Sequence, residues 1–189
     1  MSQPPDCPDF LTHYYERERG PFRSLSDLEL AEAEGVLENI RRRGGSFASQ
    51  RAPDYLTIRR ELEQMIRSRF AAKGGQPRRP TPHYLILGPC PWVQSWYRDG
   101  CELRVPLAAF DPGVISFTVG DSFPAMRYGD GKPYRGQVFT LAELPDVIRL
   151  YGLPQVWNPD GSAGPDRYIE AQVWDDAALR SLGWLQQNS

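Results

Sequence analysis

Cysteine and histidine are scarce in this chain of 189 residues. The three cysteines, Cys7, Cys90 and Cys101, form an odd set without CxxC spacing. Such a set favours reduced thiols in a cytoplasm over a disulfide scaffold. The only histidines are His13 and His83, and no metal-ligand spacing joins them to the cysteines. We therefore predict a cytoplasmic protein with no metal site.

Long apolar runs are missing as well. No stretch approaches the roughly 18 residues that a transmembrane helix needs. The N-terminus, MSQPPDCPDF, lacks the basic and then apolar segments of a signal peptide. Neither a GxGxxG turn nor a P-loop occurs, so two standard nucleotide-binding fingerprints are absent. These absences predict a soluble protein with no membrane partner, and no motif names its reaction.

Lysine is almost absent, because 20 of the 22 basic side chains are arginine. Residues 39–82 hold eleven basic and three acidic side chains, a formal charge of +8 within a chain of net charge −2. Arginine binds carboxylates and phosphates in a bidentate way. The segment 41–79 is therefore a candidate surface for nucleic acid or another anion. The alternative is a set of solvated helix faces whose arginine content reflects genomic base composition.

Two amphipathic helices are expected first. A capping-box pattern from Ser26 to Glu29 precedes apolar residues at helical spacing, and a glycine pair at 44–45 ends this helix. A second helix is expected to begin near Pro53, whose fixed φ suits a first turn. Residues 1–73 are therefore predicted to be mainly helical.

After a basic loop at 74–82, the pattern changes to β. Short runs such as HYLIL, CELRVP, VISFT and RYIEAQVWD are apolar or alternate in polarity. FLTHYYE, near the N-terminus, is either a short strand or an extended entry segment. Two helices followed by strands with short helices between them predict an α+β fold with a mixed or antiparallel sheet. The length suits a single domain over 1–189, with the mainly β part at 83–189.

The segment 115–140 opens as a strand and continues as a long loop with aromatic residues set between charges. Loops of this length and composition commonly carry function. We interpret it as an ordered lid or pocket wall. Ser122, in GDSFPA, lacks the second glycine of a GxSxG nucleophile motif. The predicted ligand-binding residues of this loop are Asp121, Arg127, Asp130, Lys132, Tyr134 and Arg135.

Glu170 stands in the middle of RYIEAQVWD, where it shares a face with Gln172 and Trp174. A glutamate within a strand must be solvated, paired or functional. Two interpretations stay open. Either this face of the strand meets water, or Glu170 lies in a cleft. In a cleft it would orient a substrate hydroxyl or stabilise positive charge on a sugar-like carbon.

Three segments, LRVPLAAFDPGVISFTVGDSFPAM, RYIEAQVWD and FLTHYY, resemble parts of the DNA-targeting ADP-ribosyltransferase toxins. The resemblance implies that Glu170 is a catalytic glutamate and that His13 contacts NAD as the cofactor. It also implies that Arg51 is a substrate or cofactor contact. The asparagine-arginine-proline segment of that family is not found ahead of the middle strands, where PHYLILGPCPW stands.

Three hypotheses follow from the sequence. The first is a nucleotide-using transferase of the ADP-ribosyl type, with a small anionic or nucleotide-like ligand. The second is a module that binds nucleic acid or another anion through 41–79, although the aromatic residues that usually accompany such a surface lie elsewhere. The third is a protein interaction module without catalysis, with Trp92, Trp96, Tyr97 and Phe110 on a partner surface.

Overall fold

The computed structural model describes residues 7–185. Its strands are β1 (Phe10–Glu16), β2 (His83–Leu87), β3 (Gly100–Pro106), β4 (Ile115–Val119), β5 (Phe139–Thr140) and β6 (Ile169–Val173). Its α-helices are α1 (Leu30–Arg43), α2 (Tyr55–Ala72), α3 (Pro91–Gln94), α4 (Ser122–Arg127), α5 (Leu144–Tyr151), α6 (Pro154–Trp157) and α7 (Ala177–Ser181). Short 3-10 turns lie at Leu25–Asp27, Phe47–Gln50, Leu107–Ala109, Pro112–Val114 and Leu141–Glu143.

The predicted α+β class is confirmed, and the six strands form one antiparallel sheet in the order β3-β1-β2-β6-β4-β5. The segment FLTHYYE is a strand, β1, so one strand precedes the two long helices. This strand lies between β2 and the edge strand β3.

The start of α1 differs from the capping box expected at Ser26 and Glu29. Ser24 caps the short turn ahead of α1, and Glu29 stands at the N-cap of α1 without a side-chain cap bond. The Ser26 hydroxyl instead donates to Glu63 at 2.6 Å. A tertiary hydrogen bond has therefore replaced the local one. The glycine stop was read correctly, since Gly44 takes a φ of 62° directly after Arg43.

Helices cover both faces of the sheet. One face packs in an apolar core with residues such as Val147 of α5 and Leu179 of α7. On the other face, Ile66 and Phe70 of α2 pack against the fully buried Trp174. Burial of each such side chain is worth about 1.5–3 kcal/mol, which fixes α2 over the central strands.

The sheet opens between β1 and β2. Strand β1 pairs with β3 along its whole length, but it pairs with β2 only at Leu11↔Leu87 and Thr12↔Ile86. Beyond Thr12 the two strands part, so the sheet consists of two halves joined at one end. The opening between the halves leads to the site described below.

Within residues 7–185, none of the helices combines the length and the apolar character needed to cross a membrane.

Candidate functional site

A cavity of about 250 Å³ lies where the two halves of the sheet separate, and the start of α2 and of α4 complete its walls. Nine aromatic and six arginine side chains line it, together with three carboxylates, Glu16, Asp121 and Glu170. Aromatic faces can stack on rings and arginine can bind phosphate or carboxylate, so the cavity walls offer both kinds of contact.

One wall of the cavity is a stack of three side chains. The guanidinium carbon of Arg51 lies 4.2 Å from the centre of the Tyr55 ring, and the Phe123 ring stacks parallel to Tyr55 at 5.0 Å. Phe123 is held at the start of α4 because its backbone N–H donates to the Asp121 carboxylate at 2.8 Å. The loop at 115–140 therefore reaches the cavity through Asp121, Ser122 and Phe123.

Arg51 differs from its basic neighbours in having no partner. Of the eleven basic side chains in residues 39–82, nine donate a hydrogen bond to a carboxylate or a backbone carbonyl, for example Arg79 to Asp27 and Asp176 and Arg67 to Pro77. A tenth, Arg43, forms an ion pair with Glu18. The exception is Arg51, whose guanidinium makes no hydrogen bond or ion pair with residues 7–185. Arg51 is half-buried, and burial lowers the pKa of its guanidinium, while the negative charge of Asp121 acts in the opposite direction.

Arg59, one turn after Tyr55 in α2, has hydrogen-bond partners within the protein. Its Nε atom donates to Glu63 at 3.0 Å and one Nη atom donates to the Tyr55 hydroxyl at 2.8 Å. The same Glu63 oxygen accepts the hydroxyl groups of Ser26 and Tyr84. Glu63 thus holds the positions of Arg59 and Tyr84 on the cavity wall. The spacing of four residues between Arg59 and Glu63 was the available sequence signal for this pair.

Glu170 lies at the floor of the cavity with 6% of its surface exposed. Its face of the sheet therefore does not meet open water, and the solvated-face interpretation is excluded. Burial raises the pKa of Glu170 well above its usual range, and the negative charge of Asp121 raises it further, whereas hydrogen bonds from Gln172 and Ser122 act in the opposite direction. A carboxyl group in this setting holds its proton to higher pH than an exposed glutamate.

A buried line of polar side chains runs from Glu170 along β6 and β4. Gln172 donates to Oε1 of Glu170 and to the Thr118 hydroxyl, both at 3.1 Å. Ser116 donates to the Gln172 carbonyl oxygen at 2.9 Å and accepts the indole N–H of Trp174 at 2.9 Å. The pairing register of β4 and β6 places these residues on one face of the sheet. The hydrogen bond from Gln172, the next member of the line, therefore holds the carboxyl group of Glu170 in position.

His13 also lines the cavity, but its ring is engaged by the backbone. The Phe22 N–H donates to Nε2 at 2.9 Å, and Nδ1 lies 3.0 Å from the Tyr84 carbonyl oxygen. Nδ1 therefore carries the hydrogen, and the ring is neutral because burial lowers the pKa of His13 to about 4. His13 follows Thr12, which shares a face with Glu170, so His13 and Glu170 leave the sheet on opposite sides.

The ring of Phe22 stacks on His13 with 4.2 Å between ring centres. Phe22 has a φ of 56° and is the one residue other than glycine in 7–185 with a positive φ. A large side chain adopts this backbone conformation only when its surroundings hold it there. The hydrogen bond from Phe22 to His13 supplies that constraint at the edge of the cavity.

The C-terminal part of the loop at 115–140 bonds to Asp166, an acid outside the cavity. Lys132, Tyr134 and Arg135 all bond to Asp166, at 2.7, 2.9 and 2.6 Å. Asp166 is fully buried, and Asp130 completes the network by pairing with Arg135 at 2.8 Å. The hydrogen bond from Arg135 holds the pKa of Asp130 at about 2. These residues have mutual partners and do not line the cavity.

The predicted site residues are thus divided. Glu170, Arg51 and Asp121 line the cavity, and His13 lines it from the side of the sheet opposite to Glu170. Lys132, Tyr134, Arg135 and Asp130 instead meet at Asp166, and Arg127 is exposed on the surface.

Sequence reasoning did not identify Asp166 or Phe123. The structure shows that Gly120 approaches Asp166 closely, since a Cβ atom at position 120 would lie 2.5 Å from the Asp166 carboxylate.

No three His, Cys, Asp or Glu side chains of residues 7–185 are grouped in a way that would hold a metal ion. Comparison with protein families, curated proteins and solved structures found no match to the chain.

Proposed function

We propose that this protein binds a small anionic, nucleotide-like ligand in the cavity between the two halves of the sheet. The observation that carries the proposal is Arg51, a half-buried guanidinium beside the ring of Tyr55 that makes no hydrogen bond or ion pair with residues 7–185. A half-buried cation without a bonded anion has lost part of its hydration, and an anionic ligand would supply a counter-ion. A cytoplasmic location, predicted from the cysteine content, belongs to the same proposal.

The aromatic walls support a ligand with a ring rather than a bare anion. Tyr55 and Phe123 are stacked, Phe47 stacks on Trp96 at 4.4 Å, and all four side chains line the cavity. Stacking of a base on an aromatic side chain is worth about 1–3 kcal/mol. A nucleotide would use both the rings and the guanidinium.

A thermal-shift series tests this proposal. NAD, AMP, a sugar phosphate and inorganic phosphate are each added at millimolar concentration, and the unfolding temperature is measured. Ligands that bind only the folded state raise it, so we expect NAD and AMP to raise it more than inorganic phosphate does. Unchanged unfolding temperatures with all four compounds would exclude a nucleotide-like ligand.

ADP-ribosyl transfer is a second candidate function, and it is favoured by the position of Glu170 in the same cavity as Arg51. In that reaction the bond between ribose C1′ and the nicotinamide nitrogen of NAD breaks, and nicotinamide leaves with the electron pair. A nucleophile then bonds to C1′ and loses its proton. An ionised Glu170 would stabilise the positive charge that develops at C1′.

Glu170 must lose its proton before it can take that role. The positive charge of the nicotinamide ring would favour this ionisation, because an adjacent cation lowers the pKa of a carboxyl group. If the protein catalyses ADP-ribosyl transfer, incubation with NAD should release nicotinamide, and the Glu170→Gln variant should release none. Binding of NAD without any release of nicotinamide would leave the protein a binding module.

The nucleic-acid alternative gains less support from the contacts. The segment 41–79 is rich in arginine, yet each of these arginines except Arg51 has a hydrogen-bond or ion-pair partner among residues 7–185. Arg78, for instance, pairs with both Asp111 and Asp175. Binding that depends steeply on salt would be needed to favour this alternative.

A further inference from the structure

In the buried line of polar side chains beneath Glu170, the groups at the two ends determine which atoms donate and which accept. At one end the indole N–H of Trp174, which can only donate, bonds to Ser116. At the other end the Thr118 hydroxyl donates to the Gly120 carbonyl oxygen at 3.0 Å, and a carbonyl can only accept. The single proton of Thr118 is thereby used.

These two ends fix the orientation of the Gln172 amide. Because Thr118 has no second proton, the Gln172 atom 3.1 Å away must be the donor nitrogen. The amide oxygen then accepts the hydroxyl of Ser116 at 2.9 Å. The same amide nitrogen lies 3.1 Å from Oε1 of Glu170, so this oxygen accepts a hydrogen bond.

The surroundings of the Glu170 carboxyl group favour its neutral form. It is buried, and Asp121, from the start of α4, places a second carboxylate near it. Asp121 acts as an acceptor, since it receives the N–H of Phe123 and the hydroxyl of Tyr168 at 3.1 Å. The hydroxyl of Ser122, from α4, and the guanidinium of Arg59, from α2, oppose this effect, but the Nε atom of Arg59 is already paired with Glu63.

We propose that Glu170 faces the cavity of the free protein as a hydrogen-bond donor, with its proton held on Oε2 because Gln172 occupies Oε1. The carbonyl oxygen of a carboxylic acid is its better acceptor, so a donor on one oxygen directs the proton to the other. This inference rests on the proposed function and makes it more specific. The cavity would select a ligand with an anionic group for Arg51 and a neutral oxygen or nitrogen acceptor for Glu170.

Gln172 is then a positioning residue, because it acts on the ligand only through Glu170. A glutamine at position 170 would reproduce the arrangement, since its oxygen would accept from Gln172 and its NH₂ group would point into the cavity. A methionine would fill the same space without a donor. An ionised carboxylate could not be replaced in this way, because glutamine carries no charge.

The test compares Glu170→Met with Glu170→Gln by calorimetric titration of NAD and AMP. One lost hydrogen bond of about 1.4 kcal/mol corresponds to a tenfold change in Kd, so we expect Glu170→Met to bind about tenfold more weakly. Glu170→Gln should recover most of this loss. Equal loss in both variants would overturn the inference.

An infrared spectrum of the protein without ligand tests the protonation of Glu170 independently of the proposed nucleotide binding. At pH 7 the free protein should show the C=O stretching band of a protonated carboxyl group, and Glu170→Gln should lack it. A spectrum in which this difference is missing would show that Glu170 is ionised and would overturn the inference, whether or not a nucleotide binds. A clear band together with no binding of NAD or AMP would instead count against the proposed function alone.

Discussion

At the scale of single residues, Glu170 should make stability fall as pH rises. Its pKa is about 4.3 in an unfolded chain and is raised well above the usual range in the folded protein. Between these two values the folded protein holds a proton that the unfolded chain has lost. Stability is therefore greatest below the unfolded pKa and decreases toward neutral pH, by about 1.4 kcal/mol for each unit of difference.

Glu170→Gln removes this titration. We expect the variant to gain stability relative to the parent protein when the pH is raised from 4 to 7.5. Urea unfolding at both pH values measures the difference. The same difference at both pH values would show that Glu170 has an ordinary pKa.

His13 should have the opposite dependence, because its pKa is lowered from 6.5 to about 4. The unfolded chain binds a proton to His13 near pH 6.5 while the folded protein stays neutral. Stability from His13 is present above this value and is lost as pH falls toward 4, by up to ~3 kcal/mol.

His13→Gln cannot titrate, so its stability deficit relative to the parent should shrink between pH 7.5 and pH 5. Unfolding curves of both proteins at the two pH values measure this. A deficit that is independent of pH would mean that the ring is already charged or that it is solvated.

At the scale of elements, the loop between α4 and β5 is held to the fold by one buried acid. Asp166 is fully buried and receives bonds from Lys132, Tyr134 and Arg135. Asp166→Asn removes the fully buried acceptor of Lys132 and Arg135, which then keep only Asp130 as an ionic partner. Breaking a buried ion pair from one side costs about 3–5 kcal/mol, so we expect a loss of this order in the free energy of unfolding.

Asp160→Asn is the matched control, because Asp160 is exposed in the same connecting segment and an exposed substitution changes stability by about 0.5 kcal/mol or less. Proteolysis of residues 128–136 should also become faster in Asp166→Asn alone. Equal stability of the two variants would show that the loop is held by other contacts.

The sequence predicted the bounds of some helices better than those of others. The α2 helix was expected to begin near Pro53 and end before Gly74, and it spans Tyr55–Ala72, because its apolar stripe and its end signals agree. The predicted capping box at the N-terminus of α1 was wrong, because the hydroxyl of Ser26 donates to Glu63, a residue 37 positions away. A pattern confined to a few neighbouring residues cannot report such a bond.

At the scale of the whole molecule, the α+β class followed from the order of helices and strands, but the site depended on the sheet order. That order places β1 between β3 and β2 and brings Arg51, His13 and Glu170 to one cavity. Charge alone pointed to all eleven basic residues of 39–82. The resemblance to the ADP-ribosyltransferase toxins named Arg51, and the pairing of the other ten, which depends on tertiary contacts, singles it out independently.

The most direct test of the account is a calorimetric titration of NAD and AMP into the parent protein, Arg51→Gln and Arg42→Gln at low salt. Arg42 is a matched control because it is exposed, pairs with Glu38 and lies outside the cavity. A hydrogen bond to a charged group is worth about 1.5–3 kcal/mol, so Arg51→Gln should bind at least about tenfold more weakly, with Arg42→Gln unchanged. Equal affinities in all three proteins, or no binding to the parent protein, would contradict the proposal that this cavity binds a nucleotide-like anion through Arg51.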